Sequence, residues 1–435
     1  MSDLLALSAR FIDEGQDDGP RSSNRITTEL SEVADGIAVI EAFSHVVAFD
    51  TDEGLVLFDT SLENFAERIV KSLRAWSRKP VHTIAYTHGH VDHVGGAQAL
   101  LDEARSERAR RPRVVGHENV AHRFERYELT SGYNGVINAR QFGGGRADAG
   151  GLMGRNGFGP ESWVRPDTTF RDRLSLRAGD RTFELRHARG ETDDHLWAWI
   201  PDARAICAGD FVTWVFPNAG NPQKVQRYPL EWAAALREME SLDADLLLPA
   251  HGLPVGGRER VRVVLSDLAT ALESIVEQCL VGMNEGQTLD DLIHTVTPPA
   301  GLTDKPYLRP VYDEPEFVIR NVWRLYGGWY DGNPARLKPP ADAALASELV
   351  ELVGGVERLT ARARSCADAG DVRTACQLVE WAVQAAPDDA GAHAARAEIY
   401  DARRRSELSL MARGIYGSAS RESADRAASS GAARS

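Results

Sequence analysis

The chain has 435 residues, 43% of them hydrophobic, and sets 64 acidic against 50 basic side chains for a formal charge of −14. That length suffices for two or three domains with real cores, and the charge argues against a nucleic-acid partner, because phosphate neutralisation needs clustered Lys and Arg. Four cysteines, Cys207, Cys279, Cys366 and Cys376, are too few and too scattered for a disulfide framework and lack zinc-finger spacing.

Residues 1–29 read as an N-terminal helix and a linker. The first fourteen alternate apolar with acidic residues, unlike a signal peptide, and 14–25 are rich in Asp, Gly, Ser and Asn. No stretch approaches the ~20 apolar residues that span a bilayer, so no membrane partner is expected and the cytoplasm is the expected compartment. Strand signals follow at 36–41, 45–50 and 54–60, then a helical pattern over 62–76 stopped by Pro80. The apolar run 81–86 predicts a buried strand that empties into a turn holding His88, His90, Asp92 and His93. Imidazole nitrogen and carboxylate oxygen are zinc ligands, and a strand-end loop can aim alternate side chains at two adjacent ions. His88 and His90 are expected on one ion, Asp92 and His93 on the other. Gly95 and Gly96 mark a helix starting where a Cβ would be in the way.

Helix 94–109, a strand at 114–115 and a helix from residue 118 continue an alternating α/β pattern. The arginines between 105 and 113 alternate with Glu and Ala, as on a solvated helix end. Residues 143–160 are too glycine-rich for helix or strand and read as a lid or a surface excursion. Strands resume at 174–176, 182–187, 195–200 and 203–207. Past residue 265 only helical patterns remain, at 258–280, 289–296, 314–326, 343–353, 356–369, 372–386 and 390–404. Small residues at helical spacing around 370–387 suggest tetratricopeptide-type hairpins, which need a surface to dock on. Residues 417–435, mostly Ser, Ala, Arg and Gly, read as a disordered tail.

The run His-Gly-His-Val-Asp-His at 88–93 matches the HxHxDH signature of the metallo-β-lactamase fold. The resemblance implies three further ligands, Glu191, Asp210 and His251, each after an apolar strand-like run. Most of that superfamily has histidine where this chain has Glu191, and a glutamate there resembles the zinc-dependent alkyl sulfatases. Residues 116–142 are similar to that family's segment after the metal loop, and 327–334 to the lead into its helical dimerisation domain. The implied fold is α/β, a metallo-β-lactamase αββα sandwich over 30–265, followed by an all-α, TPR-like dimerisation domain over 266–416.

The resemblance implies two Zn²⁺ per chain, bound by His88, His90 and Glu191 on one side and Asp92, His93 and His251 on the other. Asp210 bridges, and Asp92 and Asp210 are the expected catalytic carboxylates. The expected reaction is cleavage of a small anionic sulfate ester by metal-bound hydroxide, in a homodimer. Two doubly charged ions, two aspartates, a hydroxide and Glu191 sum to zero, so an anion needs its own cations. The candidates for substrate binding are Arg227, Arg140, Lys224 and Asn138. Departures from the family pattern, Gly220-Asn221-Pro222 where it has an arginine-glycine pair and Arg140-Gln141-Phe142-Gly143 where it has a tyrosine-rich run, leave another ester, a lactone or a phosphate as the alternative. A non-catalytic binding module is a further alternative. His117, His187 and His195 read as supporting or core histidines, and Asp193 and Asp194 as acceptors that orient ligand imidazoles.

Overall fold

The structure, a computed structural model, describes residues 3–19, 22–142 and 163–432. The glycine-rich segment 143–160 lies outside the described residues. Two sheets form the centre of the first unit. The first runs in order β1 (Leu30–Ala34), β2 (Ile37–Ile40), β3 (Val46–Thr51), β4 (Gly54–Phe58), β5 (Val81–Ala85), β6 (Arg113–His117) and β7 (Thr168–Phe170). The second runs β13 (Val255–Gly256), β12 (Leu246–Pro249), β11 (Ala205–Gly209), β10 (Leu196–Ile200), β9 (Arg181–His187) and β8 (Arg173–Ala178). β1 to β4 form an antiparallel meander, and β4 to β7 are parallel.

Alternation along β4 explains the layers. Val56 and Phe58 join Phe49, Phe183, Leu185 and Leu248 between the sheets. Leu55 and Leu57 face the other way, onto the helices Ala66–Trp76 and Ala97–Ser106 with Ile69, Leu73 and Leu100. A strand covered on both faces reads as a continuous apolar run. The outer face of the second sheet, with Trp197, Trp199 and Ile206, packs on the helices Pro229–Ser241 and Arg258–Asn284. The αββα sandwich expected from the sequence is therefore present.

The expected boundary at residue 265 is corrected. The helix Arg258–Asn284 crosses it unbroken, because Val261, Leu265, Leu268, Leu272 and Ile275 share one core with Trp232 and Phe211. Loss of strand signal marked the end of the sheet, not of the domain. The compact units divide after Gly328 instead, and the segment from Val136 to Phe142 groups with the second unit. There the backbone of Gly414 passes so close that a Cβ would stand 1.8 Å from the Gln141 carbonyl oxygen.

The second unit stacks the helices Asp342–Val353, Val356–Asp368, Val372–Ala385, Ala390–Ser406 and Leu410–Ala432. The last of these corrects the expected disordered tail: residues 417–432 are helical. Alanine carries no helix penalty, and the helix is tied down. Tyr416 stacks on Tyr400 at 5.7 Å, Arg396 donates to the Ala419 carbonyl at 3.0 Å and to Ser423 Oγ at 2.8 Å, and Ser420 donates to the Ala397 carbonyl at 2.8 Å. Among the described residues no helix is long and apolar enough to cross a membrane.

Candidate metal centre

β5 is buried along its length save for His82 and ends at Ala85, so the chain leaves the sheet at Tyr86 and Thr87 and delivers His88 into the gap beyond the strand ends. A short helix, Val91–Val94, starts at once, with His90 as its N-cap. The glycine pair makes room for it. A Cβ on Gly95 would meet the Val91 carbonyl oxygen at 2.8 Å and Glu63 N at 2.9 Å, and one on Gly96 would meet the Thr60 carbonyl oxygen at 2.2 Å. Glu191 comes from the loop between β9 and β10, Asp210 directly follows β11 and His251 follows β12.

These seven residues gather in two groups, His88, His90, Glu191 and Asp210, and Asp92, His93 and His251. In the first, His88 Nε2 lies 2.7 Å from His90 Nδ1 and 3.6 Å from Glu191 Oε2, which is 3.5 Å from His90 Nδ1. In the second, Asp92 Oδ2 is 3.6 Å from His93 Nε2 and 3.4 Å from His251 Nε2. Asp210 reaches both: Oδ2 is 3.9 Å from His88 Nε2, while Oδ1 is 3.4 Å from His93 Nε2 and 3.5 Å from His251 Nε2. Three inward-facing atoms, His93 Nε2, Glu191 Oε2 and Asp210 Oδ1, are buried without a hydrogen-bond partner. Native structures rarely leave buried acceptors unmade, and imidazole with carboxylate and no thiolate is a donor set for a divalent cation. The residues fit a metal centre.

The outward atoms of His88, His93 and Glu191 are engaged. Asp59 Oδ2 lies 2.8 Å from His93 Nδ1, and Asp59 is itself fixed by the Thr87 amide at 2.7 Å and the Thr87 hydroxyl at 2.8 Å. Glu191 Oε1 accepts from Asn218 and, at 3.3 Å, from Arg227, which also donates to the Glu191 carbonyl at 2.5 Å. His195 Nε2 accepts the Asp210 amide at 3.2 Å, and its ring stacks on Phe211 at 4.2 Å. His117 and His187 stack on one another at 3.8 Å. Asp194 accepts from the Gly89 amide and from Arg123, not from an imidazole; the carboxylate that orients a ligand histidine is Asp59. The signal that could have revealed it is an aspartate directly after β4, the parallel neighbour of the metal-loop strand.

The electrostatics call for a cation. Burial drives His88 and His90 well below the usual histidine range, with His93 adding for the first and Arg123 and Arg227 for the second. Burial also pushes Glu191 up, with Arg227 opposing and Asp210 reinforcing the shift. Asp210 is pulled down against its own burial by His93 and His251. Two converging carboxylates ionise together only beside compensating positive charge.

Of the expected anion-binding residues, Arg227 is only 1% exposed and lies against Glu191. Lys224 is half-buried; burial and the Arg227 charge push it down to about 8, while Glu191 and Asp92 oppose. Asn138 and Arg140 sit on the helix Ser131–Phe142, buried and exposed respectively, in the part that belongs to the second unit. Asn218, absent from the sequence-derived set, completes the hold on Glu191.

Residues 40–251 match the metallo-β-lactamase superfamily, and residues 288–426 match the alkyl sulfatase dimerisation family. A linear primary-alkylsulfatase of a Pseudomonas species is 29% identical over 353 residues, 78% of this chain and 66% of that protein. An alkyl/aryl-sulfatase of Saccharomyces cerevisiae is 26% identical over 86% of this chain and 60% of its own length. Among solved structures, the stereoselective inverting sec-alkylsulfatase Pisa1 from Pseudomonas sp. shares the fold, with TM-score 0.77 at 24% identity over 91% of this chain and 65% of that one. The chain thus spans under two thirds of the length of these relatives.

Proposed function

We propose that this chain is a metal-dependent hydrolase of a sulfate ester, working at the cluster of His88, His90, Asp92, His93, Glu191, Asp210 and His251. The observation that carries this reading is the convergence of seven ligand-type side chains from four loops, three of them with a buried, unpartnered atom turned inward. We assign the cluster two zinc ions, one to His88, His90 and Glu191 and one to Asp92, His93 and His251, with Asp210 between. When bound, such ions lower the pKa of water toward neutrality and polarise an ester oxygen. The chain's residues keep the donors aimed. Asp59 accepts the hydrogen bond of His93 Nδ1–H, which leaves Nε2 facing the centre as the lone-pair nitrogen. Asn218 and Arg227 occupy Glu191 Oε1 and leave Oε2 free.

Similarity to the alkylsulfatases supports a sulfate ester as substrate. Lys224 and Arg227 are the proposed anion contacts; the buried, unpartnered Nε of Arg227 is one donor left to give. A second reading, an uncharged ester, a lactone or a phosphate, draws support from the same residue, because Arg227 is already engaged by Glu191. The test is a substrate panel run on the purified full chain after metal analysis. Two zinc ions per chain with turnover of alkyl or aryl sulfates is the expected result. Turnover of lactones or neutral esters alone would shift the assignment to the second reading, and protein that holds no divalent metal would overturn both. A homodimer is proposed as well, with the helix Asp342–Val353 as its contact, since Leu345, Leu352 and Val353 are exposed on it.

A further inference from the structure

Arg123 is not among the metal ligands, yet it is only 3% exposed, beneath the loop that carries two of them. It stands on the helix Asn119–Leu129, one turn after Asn119, so both side chains leave the same helix face. That face grips the turn after Glu191. Arg123 Nε donates to Asp194 Oδ1 at 2.8 Å, its second guanidinium nitrogen donates to Asp193 Oδ1, and Asn119 Nδ2 donates to the Asp193 carbonyl at 3.1 Å. The other oxygen of Asp194, Oδ2, accepts the amide of Gly89 at 2.9 Å. Gly89 is the residue between His88 and His90. A Cβ there would stand 2.9 Å from Asp194 Oδ2 and 3.0 Å from Arg123 Cδ, so the contact depends on glycine. One carboxylate therefore joins the His88–His90 loop to the Glu191 loop, and one buried guanidinium holds that carboxylate.

We infer that Arg123 is a positioning residue that preassembles one half of the metal centre: through Asp194 it fixes the loop of His88 and His90 against the loop of Glu191. Behind the other half stands a different carboxylate, Asp59 on His93 at 2.8 Å, while the Thr87 hydroxyl lies between the halves, 3.1 Å from His88 Nδ1 and 3.4 Å from His93 Nδ1. A further nitrogen of Arg123 is buried with no hydrogen-bond partner, a cost that surface ion pairing would avoid. A lysine has no planar fork to reach Asp193 and Asp194 together.

This inference rests on the two-metal reading, and the test separates the two. Zn²⁺ is titrated onto the metal-free full-length chain in competition with a chromophoric chelator, without substrate. Wild type should bind in two steps; a wild type that binds fewer than two ions sinks the two-metal reading itself. With that reading intact, Arg123→Met should weaken one step by about 10- to 100-fold and leave the other within a few-fold, as losing an outer partner of a ligand does. Arg123→Lys should recover part of the loss. Asp59→Asn should weaken the opposite step, and the double variant should weaken both. If Arg123→Met proves unfolded by circular dichroism, Gly89→Ala, which pushes the loop off Asp194, decides by the same selective loss. Two wild-type steps in the folded Arg123 or Gly89 variant, or equal weakening of both steps, would overturn the inference.

Discussion

The two compact units treat their apolar residues in opposite ways. In the sandwich, strands such as β4 bury both faces, and Phe183 sits between Phe49 at 5.2 Å and Phe58 at 6.0 Å. In the helical unit, the helix Asp342–Val353 buries only Ala346 while Leu352 is 81% exposed. Small-residue hairpins stack on their neighbours through modest faces. A strand covered on both faces can hold a site firmly at its end; a helix that leaves leucines in water asks for something to cover them. The contrast can be broken at several points.

The largest effect is expected between the sheets. Phe183→Ala removes the ring that joins both sheets and should cost about 3–5 kcal/mol, read in urea as a lower midpoint for the sandwich transition with the helical transition in place. A single shared transition that moves as a whole would dissolve the contrast between two independent units. Next comes Asp210→Ala. Its carboxylate faces both ligand groups, so both ions should be lost from the purified protein and kcat/KM should fall by about 100- to 1000-fold, the scale of removing one preorganised electrostatic contact. Retention of both metals by that variant would remove Asp210 from between them.

The cluster of candidate ligands was legible because four of its members lie within six residues after one apolar strand, and because Glu191, Asp210 and His251 each follow an apolar run that the fold brings to the same end. Legibility stopped at the supporting residues. Asp59 is far from His93 in the chain, and only the parallel pairing of β4 with β5 sets them side by side. Arg227 was visible as a cation, but no sequence pattern says that its guanidinium would be spent on Glu191. The boundary at 265 failed for a related reason, since periodicity tells where strands end and not which core a helix joins. The tail looked disordered by composition, and the ring of Tyr400 and the guanidinium of Arg396 order it all the same.

Asp59→Asn sharpens the comparison inside the site. The amide can still accept from His93 Nδ1, but it brings no charge, and Thr87 loses half of a charge-assisted pair of hydrogen bonds. Zinc affinity at the Asp92, His93 and His251 side should fall by about 10- to 100-fold. The fold should hold, which far-ultraviolet circular dichroism checks. An unchanged chelator titration would mean that the imidazole is oriented by packing alone.

The smallest effect on stability, and the one that bears most directly on the helical unit, is expected from Leu352→Glu. The residue is exposed, so the charge displaces no core atom, and the unfolding free energy of the isolated chain should stay within about 0.5 kcal/mol of wild type. Its effect should appear in assembly instead. A glutamate in the middle of a proposed two-fold contact meets its own copy across the axis, where like charges oppose, and an apolar patch that drew two chains together becomes solvated. Light scattering at micromolar concentration should report a dimer for wild type and a monomer for Leu352→Glu, with Glu351→Gln, its neighbour in sequence, leaving the dimer intact. If wild type itself is a monomer, the exposed leucines of Asp342–Val353 are covered by something other than a second copy. If both variants remain dimers, the contact lies on another face of the unit, and Leu345 and Val353 are the next positions to charge.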